Sequence, residues 1–264
     1  MNPKVSIIMG VFNCSDTLGE CIISIVNQTF TEWEFIICDD GSTDDTYAVA
    51  KAYSDSDSRI KLFRNQRNMG LASSLNICLN HAAGEYIARM DGDDRSKPER
   101  LRKEVAFLDA YSEYSIVSTA MECFDSKGSW GCVMPAKVFP EPIDLSRGTP
   151  FCHAPCMVRH EAMITVDGYN SNAYRVEDYD LWVRLYALGF RGKNIMEPLY
   201  EVRDDKDAVA RRNFRNRIFE MRVAYRACRS LSLPWSEYMY VLRPLLVWLL
   251  PSFIYLYLRR IKRS

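Results

Sequence analysis

The sequence predicts an α/β domain built on a doubly wound, mostly parallel sheet, and three observations predict it. Short β-branched apolar runs alternate with helical apolar stripes through roughly the first 120 of 264 residues. Acidic clusters follow two of those runs directly, at Asp39-Asp40 and at Asp91-Gly92-Asp93-Asp94. The apolar fraction is 48% against 26% charged, an ordinary balance for a globular chain with a real core.

Each element has its own reason. Val5 to Met9 is a buried strand, and Asn13 and Ser15 open a helix whose stripe is Leu18, Ile22, Ile25 and Val26, with Asp16 and Glu20 near its positive end. Phe35 to Cys38 is the second strand, running into Asp39-Asp40-Gly41-Ser42 and a helix carrying Val49 and Tyr53. Ile60 to Phe63 is the third strand. Leu71, Leu75, Cys78, Leu79 and Ala82 then recur at helical spacing, with Gly84 as the expected stop. Tyr86 to Met90 is the fourth strand; beyond the acidic cluster, Ser96 and Glu99 form an expected capping box for a helix carrying Leu101, Val105 and Leu108. Such strand–helix repeats imply a parallel sheet whose ligands bind at the carboxyl ends of the strands, where both acidic clusters lie. From Met121 the pattern changes to a hairpin around Asp125–Gly128, then a Pro- and Gly-rich stretch with weak periodicity over 131–160. A further helix starts at Asp178, with Leu181, Leu185 and Leu188 on one side and Gly189 at its end.

Formal net charge is zero, so the overall balance points to no nucleic acid or other polyanionic partner. The nine cysteines are odd in number and carry no paired CxxC motifs; Cys14, Cys21, Cys38 and Cys78 sit in apolar stretches, which argues for a reducing compartment. Cys152 and Cys156 flank His153, but two further ligands for zinc are missing at credible spacing. The opening "MNPKVSIIMG" lacks the pattern of a signal peptide.

The carboxylates carry the chemistry. Aspartates after a strand often only cap the next helix or line a turn. An Asp-x-Asp at a strand end can also hold Mg²⁺ or Mn²⁺, which take one or two carboxylates and complete their shell with substrate phosphates. The missing positive charge beside Asp91 and Asp93 is then a metal ion arriving with a nucleotide.

"VSIIMGVFN", "QTFTEWEFIICDDGSTDDT", "NMGLASSLNICLNHAAGEYIARMDGDD" and "VEDYDLWVRL", in this order and spacing over residues 4 to 200, resemble the family 2 glycosyltransferases of the Rossmann-like GT-A fold, of the bacterial surface-polysaccharide type. The resemblance implies a nucleotide-sugar donor, most simply a UDP-sugar, a divalent metal (Mn²⁺ or Mg²⁺), and inversion in a hexosyl- or N-acetylhexosaminyltransferase. It matches Asp40 to the residue that holds the base, with Val11 beside it; Asp91 and Asp93 to the metal-binding pair, with Asp93 the ligand; and Asp178 to the general base, though helix capping is its plainer role. Asn68 and Gly70 match a loop near the donor. Arg89 faces the same side as Asp91 by alternation, for a nucleotide contact or a surface salt bridge. His153 stands where relatives have a histidine near the diphosphate and acceptor, or it is structural; Glu177 and Trp182 flank the base, with core packing the first reading for Trp182 and an acceptor stack the second. Gly10 stands where many relatives have Pro, and an Arg-x-His stretch has no counterpart here, leaving Arg203, Lys206, Arg211 and Arg212 as cations for a loop over the diphosphate, Arg203 first.

The expected division is 1–120 for the donor half, 121–210 for an acceptor half with the base, and 211–264 for a helical tail. In that tail Phe214, Ile218, Met221, Tyr225 and Cys228 recur at helical spacing among seven arginines from Arg211 to Arg229. Pro244 to Leu258 is uncharged but short of a span and interrupted by Pro251, with Trp248, Tyr255 and Tyr257 suited to the headgroup level. That suits a segment lying in a membrane interface, on the inner face of the cell membrane, where a lipid-linked glycan acceptor would be reached; packing on the domain or oligomerisation is the competing use. A sugar-1-phosphate nucleotidyltransferase would want a Gly-rich loop followed by Arg and Lys, which "IIMGVFNCSDTL" lacks. A non-catalytic scaffold or carbohydrate-binding module would have no need of Asp91, Asp93 and Asp178 together.

Overall fold

The computed structural model describes residues 3–204, 213–255 and 257. Lys206, Arg211, Arg212 and the end of the apolar run at Leu258 lie outside the described residues.

The first half follows the sequence closely. Strands β1 (Val5–Val11), β2 (Trp33–Asp39), β3 (Ile60–Arg64) and β4 (Tyr86–Arg89) pair in parallel in the order β3-β2-β1-β4. Helices α1 (Ser15–Val26), α2 (Thr46–Ser56) and α3 (Leu71–Asn80) connect them. Alternation along β1 sorts the core: Ile7 and Met9 pack with Leu18 and Ile22 of α1 on one face, while Ile8 packs with Leu75 and Cys78 of α3 on the other. Burial on both faces explains why these strands read as unbroken apolar runs.

Two expected punctuation marks serve other purposes. Helix α3 stops at Asn80, not at Gly84. Gly84 lies against β1, where an added Cβ would come within 2.6 Å of the Ser6 nitrogen, and its N–H donates to Ser6 Oγ at 2.8 Å. The Ser96–Glu99 capping box does not form. Ser96 belongs to the short strand β5 (Arg95–Ser96), its hydroxyl accepts from Gln28 Nε2 at 3.1 Å, and Gln28 Oε1 takes the N–H of Leu101 at 3.1 Å in helix α4 (Arg100–Ala110). A side chain distant in sequence thus replaces the local cap.

The second half completes a mixed sheet. Strand β6 (Ile116–Asp125) turns through the expected hairpin into β7 (Gly128–Val133), and Gly128 takes φ +116°. In the weakly periodic stretch lie a 3₁₀ turn (Pro142–Ser146) and β8 (Met157–Arg159), and α5 (His160–Thr165) follows at its end. β8 fits antiparallel between β4 and β6, joining the parallel half to the rest. Helix α6 (Glu177–Ala187) leads to β9 (Gly192–Arg203), a long strand parallel to β6 whose end also pairs with β5.

The tail packs on the domain. Helix α7 (Phe214–Ser230) buries Val223, Ala224, Ala227 and Cys228, so its covered face is rotated from the expected stripe; Phe214 and Tyr225 remain exposed. Arg226 of α7 pairs with the fully buried Asp180 of α6, which also holds Arg184 at 2.7 Å. A 3₁₀ segment (Trp235–Leu242) and helix α8 (Arg243–Leu249) follow, and the chain leaves helical geometry at Leu250, ahead of Pro251. No described helix is long and apolar enough to cross a membrane.

Candidate active site

The loops at the carboxyl ends of β1, β2 and β4 converge. Asp40, just past β2, is buried and accepts from Asn65 Nδ2 at 2.7 Å and from the N–H groups of Met69 and Gly70 at 2.9 and 2.8 Å. Its carboxylate therefore shapes the loop ahead of α3. Gly70 completes that loop at φ +90°, which no bulkier residue adopts cheaply. Asp40, Val11, Asn68 and Gly70 line one cavity of about 660 Å³, and Glu177 reaches it from α6. Asp39, also buried, is neutralised by Arg64 at 3.0 Å.

The Asp91–Asp94 cluster finds protein partners. Arg89 is buried, which sets aside the surface salt bridge, one of its two expected uses, and it grips Asp91 with both terminal nitrogens at 2.7 and 3.1 Å. Burial in a sheet flanked on both faces is the reason. The neighbouring Gly92 is required sterically: a Cβ there would meet Val11 Cγ1 at 2.9 Å. Asp94 is buried, and burial together with the Asp91 and Asp93 charges pushes its carboxyl well above the usual range. Arg203, carried in by β9, donates through Nε to the Asp93 carbonyl at 3.0 Å and through its backbone N–H to Asp94 at 2.8 Å; its guanidinium also pairs with Glu20 at 2.9 Å. The Asp91 N–H donates to the Tyr200 hydroxyl at 3.1 Å.

Among the described residues no three His, Cys, Asp or Glu side chains converge as a metal cage. The donor set nevertheless fits a cation that brings its own phosphate oxygens: Asp93 is only partly buried, and the surplus negative charge felt by Asp94 is what a cation relieves. Asp91 is already bound to Arg89 and would be the weaker ligand of the two.

Asp178 stands at the start of α6, one residue inside it; the N-cap position is Val176, so the aspartate is not the cap. Its Oδ1 accepts the Tyr179 N–H at 2.7 Å. Burial first, then the Glu177 charge, push the carboxyl up to about 6, while the Tyr179 N–H and Arg89 pull the other way. The same guanidinium that clamps Asp91 thus acts on Asp178 as well. Asp178 lines a second cavity, of about 460 Å³, beside Arg175, Arg217 and Arg243.

His153 places its Nε2 3.1 Å from the Tyr169 hydroxyl, and burial followed by the Arg89 charge holds its pKa well below the usual value, so the imidazole is neutral. Trp182 is fully buried, edge-on to Phe151 at 5.3 Å, and presents no face to a sugar; the acceptor stack is excluded by packing. Asn65, Arg175 and Tyr200 also touch these loops or cavities, and none of them belongs to a motif in the sequence. Arg175 sits two residues before Glu177 and was visible as a cation beside the motif, whereas Tyr200 carries no local signal.

The chain matches the sequence profile of glycosyl transferase family 2 over residues 6–167. It is 49% identical over 254 residues to the glycosyltransferase EpsE of Bacillus subtilis (strain 168), covering 95% of this chain and 91% of that one. It is 28% identical to the UDP-Gal:alpha-D-GlcNAc-diphosphoundecaprenol beta-1,3-galactosyltransferase of Escherichia coli, covering 99% and 98%. Among solved structures, S. aureus TarS 1-349 in complex with UDP-GlcNAc superposes with a TM-score of 0.72 at 18% identity, covering 90% of this chain and 72% of that one. The mannosyltransferase PcManGT from Pyrobaculum calidifontis, in complex with GDP-Man and Mn²⁺, superposes at 0.64 with 17% identity, covering 99% and 79%.

Proposed function

The chain belongs to glycosyl transferase family 2, and from that membership we propose an inverting, metal-dependent enzyme that moves a sugar from a UDP-sugar to a lipid-linked glycan in polysaccharide synthesis. The observation that carries the proposal is the Asp178 carboxyl, raised to about 6 at the lining of a cavity next to the one Asp40 shapes. Among the described residues, Arg175 is the one that lines both. A nucleotide-sugar held on the Asp40 side and an acceptor on the Asp178 side would meet across that ridge.

In this reading the acceptor hydroxyl attacks the anomeric carbon while Asp178 takes its proton, and the bond from that carbon to the diphosphate oxygen breaks. Attack opposite the departing diphosphate inverts the centre. Asp93, with Asp91 in support, would hold Mn²⁺ or Mg²⁺, which when bound neutralises the charge growing on the diphosphate. Arg203, held at the Asp93 carbonyl, stands next to the same place. Asp40 keeps the loop carrying Asn68 and Gly70 in shape for the base. The names of the relatives support the donor and acceptor classes: a UDP-sugar and a diphosphoundecaprenol-linked sugar for the E. coli enzyme. The exposed apolar side chains of the tail support a cytoplasmic protein peripheral on the inner membrane face.

Asp178→Asn tests the proposal. Donor binding, read as a thermal shift with UDP and Mn²⁺, stays within twofold of wild type, while transfer falls by about 10²–10⁴, the usual worth of a general base. Full transfer by Asp178→Asn defeats the assignment.

A further inference from the structure

Building on the glycosyltransferase reading, we infer that the cavity over Asp178 is an anion-gripping acceptor site walled by the tail, in which Arg175, Arg217 and Arg243 hold the phosphate of an amphiphilic acceptor. The cavity has one wall from the catalytic domain, with Asp178, Arg175 and Arg147, and another from α7 and the start of α8, with Arg217, Ala224, Arg243 and Val247. Four arginines therefore face one space beside the proposed base.

Two of the four have acidic partners: Arg147 pairs with Glu237 at 3.0 Å and Arg217 Nη1 with Glu220 at 2.7 Å. Arg175 and Arg243 form no ion pair among the described residues. The Nε of Arg217 is buried and has no hydrogen-bond acceptor among the described residues. A buried donor left unpaired costs about 1–3 kcal/mol, and it persists where a ligand supplies the acceptor. Guanidinium groups match phosphate oxygens in fork geometry, and several around one space favour a phosphate over a neutral sugar. Arg175 takes φ +64°, a left-handed conformation seldom adopted by residues other than glycine, on the ridge shared by both cavities.

The rest of the lining says what the phosphate is attached to. Ala224, Pro244 and Val247 make an apolar side to the cavity. Helix α8, which supplies Pro244 and Val247, exposes Leu246 and Leu249, and Phe253 follows, all more than 60% exposed. An acceptor whose phosphate sits on the arginines can run its hydrocarbon chain out along α8, with its sugar hydroxyl toward Asp178. A nucleotide gains nothing from this apolar side, and among the described residues the Asp40 cavity shares only Arg175 with this one.

Farnesyl diphosphate is the probe, titrated into the full chain by calorimetry, with farnesol, inorganic pyrophosphate and phosphatidylglycerol vesicles as comparisons. Farnesyl diphosphate binds at least tenfold more tightly than farnesol or pyrophosphate, and saturating UDP does not displace it. Arg243→Ala and Arg217→Ala each weaken it at least tenfold, Arg243→Lys restores part of the loss, and UDP affinity stays within twofold in all three. Circular dichroism checks each fold, and the two alanine variants on different helices guard against one failing to fold. The inference is overturned by unchanged farnesyl diphosphate affinity in both alanine variants, by displacement with UDP, or by equal binding of farnesol. It is also overturned if phosphatidylglycerol vesicles compete for the same arginines, which would make the site a reader of membrane headgroups. None of these outcomes depends on transfer, so failure of the Asp178→Asn test would fall on the enzyme assignment alone.

Discussion

Burial and the Glu177 charge together bring the Asp178 carboxyl to about 6, and that one residue then faces opposed demands. In its proposed role as base it must be ionised, so kcat/KM should rise with pH through about 6 and level off above it; a rate profile between pH 4.5 and 8 measures this. Conversion of the neighbour, Glu177→Gln, removes the second cause of the shift and moves the inflection to lower pH. Stability runs the other way. A carboxyl with a folded-state pKa raised above its unfolded value stabilises the fold while protonated, and that contribution is lost as pH rises from about 4 through about 6. Asp178→Asn should therefore melt no lower than wild type at pH 7.5, and by an order-of-magnitude count should be about 1–2 kcal/mol more stable. Asp94 shows the same kind of tension, since burial and two adjacent aspartates raise it. These carboxylates were legible because acidic residues directly after apolar runs stand out in any sequence. Arg89 was legible as a cation near Asp91, but its depth was not, because burial depends on strands that pair from elsewhere in the chain.

The loop from Asn65 to Gly70 depends on one carboxylate. Asp40 accepts from Asn65, Met69 and Gly70, so Asp40→Ala strands two backbone N–H groups and an amide. Part of that cost is recovered from water, leaving a loss of about 2–4 kcal/mol in urea denaturation, together with loss of the thermal shift on adding UDP. An unchanged urea midpoint would mean that the loop holds its shape without the aspartate. Elements held by local periodicity, β1 to β4 and α1 to α3, could be read from the chain because apolar spacing alone determines them. Helix α4 could be read, but not its cap, since Gln28 arrives from the end of α1. Strands β8 and β9 escaped for a related reason. Met157–Arg159 is only three residues long, and Gly192–Arg203 contains Pro198 and shifts register against β6, so neither shows clean alternation. Yet β9 is the element that delivers Tyr200 and Arg203 to the acidic cluster.

At the scale of the molecule the tail has two faces with different work. Its inner face is attached through Val223, Ala224 and Ala227 and through Arg226 on the buried Asp180. Arg226→Ala leaves Asp180 with Arg184 alone and should cost about 1–3 kcal/mol, seen as faster amide exchange in α7 before the sheet opens. The outer face is apolar: Trp235 is 85% exposed, Met239 78%, Phe253 73%, and Leu246 and Leu249 are 61% and 63%. Arg215, Arg222 and Arg229 of α7 are exposed as well. On the membrane-surface proposal the apolar side chains supply depth and the arginines supply attraction to anionic headgroups, so two variants should separate them. Leu246→Glu with Leu249→Glu removes the burial of two leucines, worth about 1.5–3 kcal/mol each, and should lower partition onto phosphatidylglycerol vesicles more than tenfold at any salt. Arg222→Glu with Arg229→Glu should lower it strongly at low salt and little at 0.5 M salt, because exposed charges are screened over a few ångströms there. Both pairs should retain the thermal shift with UDP, since none of the four residues lines either cavity. If the leucine pair instead turns a dimer into a monomer and leaves vesicle binding untouched, the apolar face joins two copies of the chain and the membrane proposal falls.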